Sequence, residues 1–163
     1  MGKVRDIRVE RHGKAEIERV YRQRGQRMWQ AALAFAGDPE VASDAVAEAF
    51  AQALRRGSAI RDLERWIWRA VFRIAAGTLK ERRRSLPLIA DRSYELPEPT
   101  GELVSALARL SEKQRAAVVL HHAGGYPVKE VAAILGSSPA AVRVHLMRAR
   151  RRLRDLLREE EDA

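Results

Sequence analysis

Apolar residues recur at helical spacing through most of the chain, and no segment shows the alternation of a half-buried strand. Ile17, Val20, Tyr21, Met28, Leu33 and Phe35 sit among polar residues at roughly helical intervals, which predicts a first helix. Gly37-Asp38-Pro39 ends it and starts the next, with Asp38 as N-cap and Pro39 in the first turn. Val41, Ala45, Ala49 and Ala53, with Val46, Phe50 and Leu54, then form one apolar stripe. Ser43, Asp44, Ala47 and Glu48 lie off it, and Gly57-Ser58 closes the helix. A third helix is expected from about Asp62 to Arg83. Its buried stripe is Leu63, Trp66, Ile67, Ala70, Val71 and Ile74, with Arg65, Trp68, Arg69, Phe72 and Arg73 on or beside the opposite face.

The C-terminal third has a tighter pattern. Glu112–His122 reads as one helix broken by Gly124-Gly125, and Val128–Leu135 as a short helix stopped by Gly136. Ser137-Ser138-Pro139 opens a long helix in which Val142, Leu146, Ala149, Leu153 and Leu156 follow at steps of four, three, four and three. Val128–Leu146 therefore fits a helix-turn-helix. Ala132 is small where two helices cross, Gly136 permits a left-handed turn, and Val142 plugs the interface. The solvent face of the second helix presents Arg143, Val144, Met147, Arg148 and Arg151. A helix of about 10–12 Å diameter fits the DNA major groove. Its N-terminal end, Ser138, Pro139 and Ala140, would meet the backbone or the first base edges.

Residues 85–104 interrupt the helical pattern with three of the chain's six prolines (Pro87, Pro97 and Pro99), Gly101, four acids and one arginine. The expected fold class is all-α: two small helical domains joined by a flexible linker, the C-terminal one a helix-turn-helix. The boundaries are 1–84, 85–102 and 103–163.

Charge sharpens this picture. The 163 residues hold 31 Lys and Arg against 22 Asp and Glu, a net charge of +9. The excess is concentrated: residues 61–84 carry eight basic and three acidic side chains, and 138–158 carry seven arginines against Asp155 alone. Such blocks point to a polyanionic partner, nucleic acid or an anionic membrane surface. The membrane reading is weaker, because the outer face of 139–157 is mostly arginine rather than large and apolar. No stretch approaches the ~18 apolar residues of a membrane span. The start, MGKVRDIRVERHGK, has no apolar run that reads as a secretory signal, so a cytoplasmic location is the default expectation. Cysteine is absent, which excludes disulfides and thiolate metal sites. The four histidines, His12, His121, His122 and His145, have no zinc spacing. No phosphate loop, nucleophile elbow or carboxylate cluster appears, so neither catalysis nor a cofactor or metal is expected.

Several of these segments coincide with a known pattern. Leu107-x-x-Leu110, Gln114-Arg115-x-x-Val118, Gly125-Tyr126, Glu130-Val131-Ala132-x-x-Leu135-Gly136, Val142-Arg143 and Arg148-Ala149-Arg150-x-x-Leu153 resemble region 4 of bacterial RNA polymerase sigma factors of the small extracytoplasmic-function (ECF) group. Gly37-Asp38-Pro39, then Ala42-x-Asp44-x-Val46-x-Glu48-x-Phe50, then Trp66-Ile67-Trp68-Arg69, resemble region 2 of the same group. The resemblance implies a subunit that binds core RNA polymerase and directs promoter recognition, strand opening and initiation. Region 4 would read the upstream (−35) element as duplex. Region 2 would capture non-template bases of the downstream (−10) element.

The resemblance also assigns roles to residues. Gly57 and Ser58 belong to a base-holding loop, and Arg61, Arg65, Arg69 and Arg73, with Trp68 and Phe72 interleaved, to the strand-capturing helix. Arginines suit phosphate tracking, and aromatic rings suit stacking on an unpaired base. Asp44, Ala47 and Glu48 fall on the face that docks on the clamp helices of the largest polymerase subunit. The flap of the second-largest subunit and an anti-sigma factor are further partners in the group. Ala47 stands where the group usually has Gln, and Arg73 and Gly77 where Asn and Asp are frequent, which shifts −10 recognition toward charge. The alternative is a helix-turn-helix transcription regulator that does not associate with core polymerase. Such a regulator needs neither the Trp/Arg helix nor an acidic docking face.

Overall fold

The computed structural model describes residues 3–85 and 100–161, and every regular element among them is helical. The interior of the expected linker, with Pro87, Pro97 and Pro99, lies outside the described residues. Helix α1 spans Lys3–Ala36, α2 Pro39–Arg56 and α3 Leu63–Ser85, with a 3₁₀ turn at Gly57–Ala59. Then follow α4 (Thr100–Ala108), α5 (Glu112–Val118) running into a π turn (Val119–Ala123), α6 (Val128–Leu135) and α7 (Pro139–Glu161).

The first three helices pack as a bundle around alanine. Ala42, Ala45, Ala49 and Ala53 of α2 are fully buried, so the α2 backbone lies close to both neighbours. Met28, Phe35, Ile67 and Val71 fill the remaining space from α1 and α3. Asp38 ties the start of this bundle to its end. Its Oδ1 accepts the N–H groups of Glu40 (2.8 Å) and Val41 (3.3 Å), capping α2, and its Oδ2 pairs with the Arg82 guanidinium on α3. This is the cap expected from Gly37-Asp38-Pro39, with an ion pair added.

The helix-turn-helix also forms as expected. Gly136 ends α6 in the left-handed region, at φ 63°, where a side chain is disfavoured. The Ser138 hydroxyl accepts the N–H of Ala141 (3.1 Å) at the start of α7. Val131, Ala132, Val142, Leu146 and Ala149 fill the interface.

Four features differ from the expectation. First, α4 begins at Thr100, inside the segment assigned to the linker, so Gly101 belongs to a helical turn. Second, the helix from Glu112 does not run regularly to His122. Its end widens into a π turn in which the Gly124 N–H reaches back to the Val119 carbonyl (3.1 Å). A Cβ at Gly124 would sit 2.6 Å from the Leu120 carbonyl oxygen, so this return requires glycine. Third, Tyr21 and Leu54 are exposed although their spacing matches the apolar stripes. Tyr21 lies edge-on to Phe50 at 5.1 Å, at the margin of the core.

The fourth difference concerns α3. Trp66 is only partly buried, whereas Trp68 and Phe72, expected on or beside the polar side, are 1% and 5% exposed. The cause is a second packing partner. The C-terminal helices fold back on the first three, and both groups share one continuous apolar cluster. α4, α5 and the π turn rest on α1, and α6 rests on α3. Helix α3 is therefore covered on two sides, and local periodicity marked only one.

Asp38→Ala removes the cap and is expected to lower unfolding stability by about 1–2 kcal/mol, the usual cost of losing an N-cap. Asp38→Asn keeps the acceptor and loses only the charge pair, so it should lie between that variant and the parent in equilibrium urea unfolding.

Candidate nucleic-acid interface

Helix α7 presents the residues expected from the sequence on one side. Arg143, Val144, Met147, Arg148 and Arg151 are exposed, while Val142, Leu146 and Ala149 point into the core. Ser138 and Ala140 are exposed at the same end, and Pro139 is half-buried as the first helical residue. No acidic residue occurs from Pro139 to Arg154. At 1.5 Å per residue the face from Ala140 to Arg151 is about 16 Å long, enough to follow one groove. Val144 and Met147 place apolar surface among arginines, a combination that suits base edges carrying both acceptors and thymine methyl groups.

The first three helices arrange their candidates differently. The 3₁₀ turn holds Gly57 and Ser58 beside the start of α3. A cleft of about 500 Å³ opens there, lined by Arg56, Ile60, Arg61, Arg65, Trp66 and Arg69, with Ala133 of α6 as its far wall. The Arg56 guanidinium lies over the Trp66 ring, 5.5 Å from its centroid. Trp66 is thus the aromatic residue of this cleft and Arg56 the cation over it, and neither was singled out for that role from sequence. Arg73 turns away and donates to Gln52 Oε1 (3.0 Å).

The expectation that Trp68 and Phe72 offer free surfaces to unstacked bases is contradicted by their burial. Trp68 stacks on Phe72 at 6.2 Å, meets the edge of Tyr126 at 5.7 Å, and leaves its indole N–H without a partner. Phe72 packs edge-on against Phe35 at 5.1 Å. Arg65 pairs with Glu130 on α6 as well as with Asp62 (3.5 Å). Arg69 donates to two backbone carbonyls of α6, those of Ile134 (3.1 Å) and Ala133.

On α2, Asp44, Ala47 and Glu48 share an exposed face. Glu48 accepts from Gln52 (2.9 Å) and Arg55 (2.8 Å), and these bonds hold its carboxyl below the usual carboxylate range. Ala47 also borders a shallow groove between α1 and α2 that contains Tyr21, Gly25, Trp29 and Val46, a feature with no local sequence signal.

Two groups at the junction between the halves carry shifted protonation equilibria. Burial, aided by Arg83, lowers the pKa of Arg115, whose guanidinium sits 5.0 Å above the Phe35 ring. Burial and the neighbouring Glu64 carboxylate raise that of Tyr126, whose hydroxyl donates to Glu64 (3.4 Å). Nearby, His121 Nδ1 contacts the Tyr126 carbonyl (2.7 Å), and burial with His121 lowers the pKa of His122. Among the described residues no His, Asp and Glu cluster could hold a metal ion, and no helix is long and apolar enough to cross a membrane.

The family Sigma-70, region 4, matches residues 100–153, which is α4 through most of α7. Solved structures align over both halves. The sigma factor RpoE of Bartonella quintana, solved in complex with the anti-sigma factor NepR, is 20% identical with a TM-score of 0.75, over 88% of this chain and 97% of that one. CnrH, solved in complex with the cytosolic domain of CnrY, is 22% identical with a TM-score of 0.75, over 94% of each chain. The extracytoplasmic function sigma factor SigJ of Mycobacterium tuberculosis is 30% identical with a TM-score of 0.58. That match covers 78% of this chain and 50% of SigJ, so the chain spans about half the SigJ length. No curated protein matches.

Because folding raises the pKa of Tyr126, its proton stabilises the fold fully below the ordinary tyrosine value, about 10, and this contribution is lost as pH rises above it. Near-ultraviolet difference absorbance should show a tyrosine that ionises late, and Tyr126→Phe should remove that component alone.

Proposed function

We propose that this chain is a sigma factor of the ECF group, which binds core RNA polymerase and directs it to promoters, with α7 reading the upstream element and α3 holding the non-template strand downstream. The observation that carries the proposal is the α7 face, where Arg143, Val144, Met147, Arg148 and Arg151 project from a region 4 helix-turn-helix with no acid among them. In this reading residues 1–84 act on the polymerase and the −10 element, 103–163 on the −35 element, and 85–102 connect them.

Ser138, Pro139 and Ala140 set the N-terminus of α7 against the duplex backbone, where exposed N–H groups favour phosphate. Arg143 reaches a base edge. Arg148 and Arg151 follow phosphates, which makes binding salt-dependent. In the first half, Arg61, Arg65, Arg69 and Arg73 supply cations for the single strand. The turn that holds Gly57 and Ser58 precedes the cleft, although the two residues themselves border a separate hollow against α1, and Trp66 with Arg56 takes the stacking role first assigned to Trp68 and Phe72. Asp44 and Glu48 meet basic residues of the clamp helices of the largest subunit, with Ala47 and the groove beside it offering apolar contact. Region 4 also contacts the flap of the second-largest subunit.

RpoE and CnrH were each solved in complex with a protein partner, NepR or the cytosolic domain of CnrY, which supports an anti-sigma factor as a partner here too. No step of this mechanism forms or breaks a covalent bond on the chain itself.

Reconstitution with core polymerase on a promoter library tests the proposal. Promoter-specific run-off transcription is expected, and duplex binding without polymerase association would leave only a transcription regulator. Arg143→Ala should weaken upstream-element binding by about 1–3 kcal/mol if it contacts a base through two hydrogen bonds. Competition with unrelated duplex separates that from a phosphate contact, for which the loss is uniform. Asp44→Arg with Glu48→Arg should impair polymerase binding in a pull-down while leaving thermal unfolding nearly unchanged, since exposed ion pairs contribute little.

A further inference from the structure

A second cavity, of about 560 Å³, lies between the two halves, and α1, α3, α5, α6 and α7 all contribute to its wall. Small-molecule sites fall in this size range and occur preferentially where domains meet. Arg69 borders both this cavity and the cleft beside Trp66. Helix α3 supplies one side with Arg69, Phe72, Arg73 and Ala76, whose spacing of three, four and seven places them on one face. Phe35 of α1, Ala116 of α5 and Ile134 of α6 join Phe72 in an apolar floor. All four floor residues belong to the shared core of the two halves.

The rim is basic. Arg69 and Arg73 reach it from the first half, Lys113 and His145 from the second, against the single carboxylate of Glu112. That carboxylate already pairs with Arg83 at 3.3 Å. Arg69 and Arg73 are partly engaged, with carbonyls of α6 and with Gln52. Lys113 and His145 make no hydrogen bond or ion pair with any described residue. A further cation, Arg115, lies against the Phe35 ring, and its buried Nε lacks an acceptor. The C-terminal carbonyls of α6 would repel an anion, but Arg69 covers two of them. Apolar floor and uncompensated positive rim therefore coincide in one concavity.

We propose that this cavity is a binding site for a small organic anion, a carboxylate carried on an aromatic or similarly apolar body. The body covers Phe35, Phe72 and Ile134, and the carboxylate meets the rim at Lys113, His145 and Arg73. Both parts are needed. A bare inorganic anion would leave the floor wet, and a ligand with many polar groups would leave them unpaired against it. The inference goes beyond the proposed function and does not rest on it. Lys113, His145 and Ala76 have no part there in DNA or polymerase binding, and occupancy is read on the chain alone.

The probe is 2-naphthoate, titrated calorimetrically into the full chain. Two controls separate its parts: 2-naphthalenemethanol keeps the rings without the charge, and acetate keeps the carboxylate without the rings. Saturable one-to-one binding of 2-naphthoate is expected, with both controls weaker by about ten-fold or more, as the loss of a charged hydrogen bond or of a buried apolar body implies. Lys113→Glu with His145→Gln should weaken 2-naphthoate by a similar factor and leave 2-naphthalenemethanol unchanged. Ala76→Leu extends a side chain into the cavity and should weaken both. Saturating 2-naphthoate should raise the thermal unfolding temperature of the parent, by mass action, and not that of Ala76→Leu.

No saturable binding of 2-naphthoate would overturn the site, as would undiminished affinity in the Lys113→Glu, His145→Gln variant. Equal affinity for the acid and the alcohol, or for naphthoate and acetate, would overturn the ligand class. Far-ultraviolet circular dichroism checks each variant. Should Ala76→Leu fail to fold, the charge variant decides alone, since neither of its residues belongs to the apolar core.

Discussion

The guanidinium of Arg69 lies where α6 has exhausted its own donors, and its two hydrogen bonds join halves of the chain that are more than sixty residues apart in sequence. Hydrogen bonds to a charged group contribute about 1.5–3 kcal/mol net, more than a neutral pair. Arg69 is itself exposed, so solvent screens these bonds, as it does the Arg65–Glu130 pair, whose side chains are 39% and 32% exposed. Closure therefore depends chiefly on the apolar seam around Phe35, Trp68 and Tyr126, to which Arg69 and the ion pair add. Removing Arg69 from its seat would leave the two α6 carbonyls to solvent and the aromatic seam to hold the halves.

This seam also explains why α3 departs from its own sequence pattern. A periodic stripe identifies the face that a helix turns toward its immediate neighbours. Ile67, Ala70 and Val71 follow that rule and are buried against α1 and α2. Trp68 and Phe72 lie a further 100° round the helix. Phe72 meets Phe35 of α1, and residues after position 100, Tyr126 among them, return to complete the cover, a return that no local signal announces. Trp66 illustrates the converse: it sits on the expected stripe, yet the adjacent 3₁₀ turn leaves it at the rim of a cleft.

Other parts were legible because their causes are local. Asp38-Pro39 specifies a helix start through one carboxylate and one ring. Gly136 and Ser138 specify a turn and a cap within three residues. The Val142, Leu146 and Ala149 series fixes which side of α7 faces solvent, and with it the candidate reading surface. The start of α4 at Thr100 was obscured by neighbouring Pro97, Pro99 and Gly101, whose composition reads as loop. The π turn depends on a backbone return to Val119, and side-chain periodicity does not encode it. The arginines of α3 were identified by type and spacing, but their present partners are tertiary and had no such signature.

Arg115 draws out a thermodynamic consequence of the closed arrangement. Its guanidinium is held over Phe35, largely withdrawn from solvent, with Nε buried and lacking an acceptor. An unmatched polar group of this kind costs about 1–3 kcal/mol. Parting the halves would rehydrate that cation, so the return of water to a single arginine offsets some of the attraction lost elsewhere.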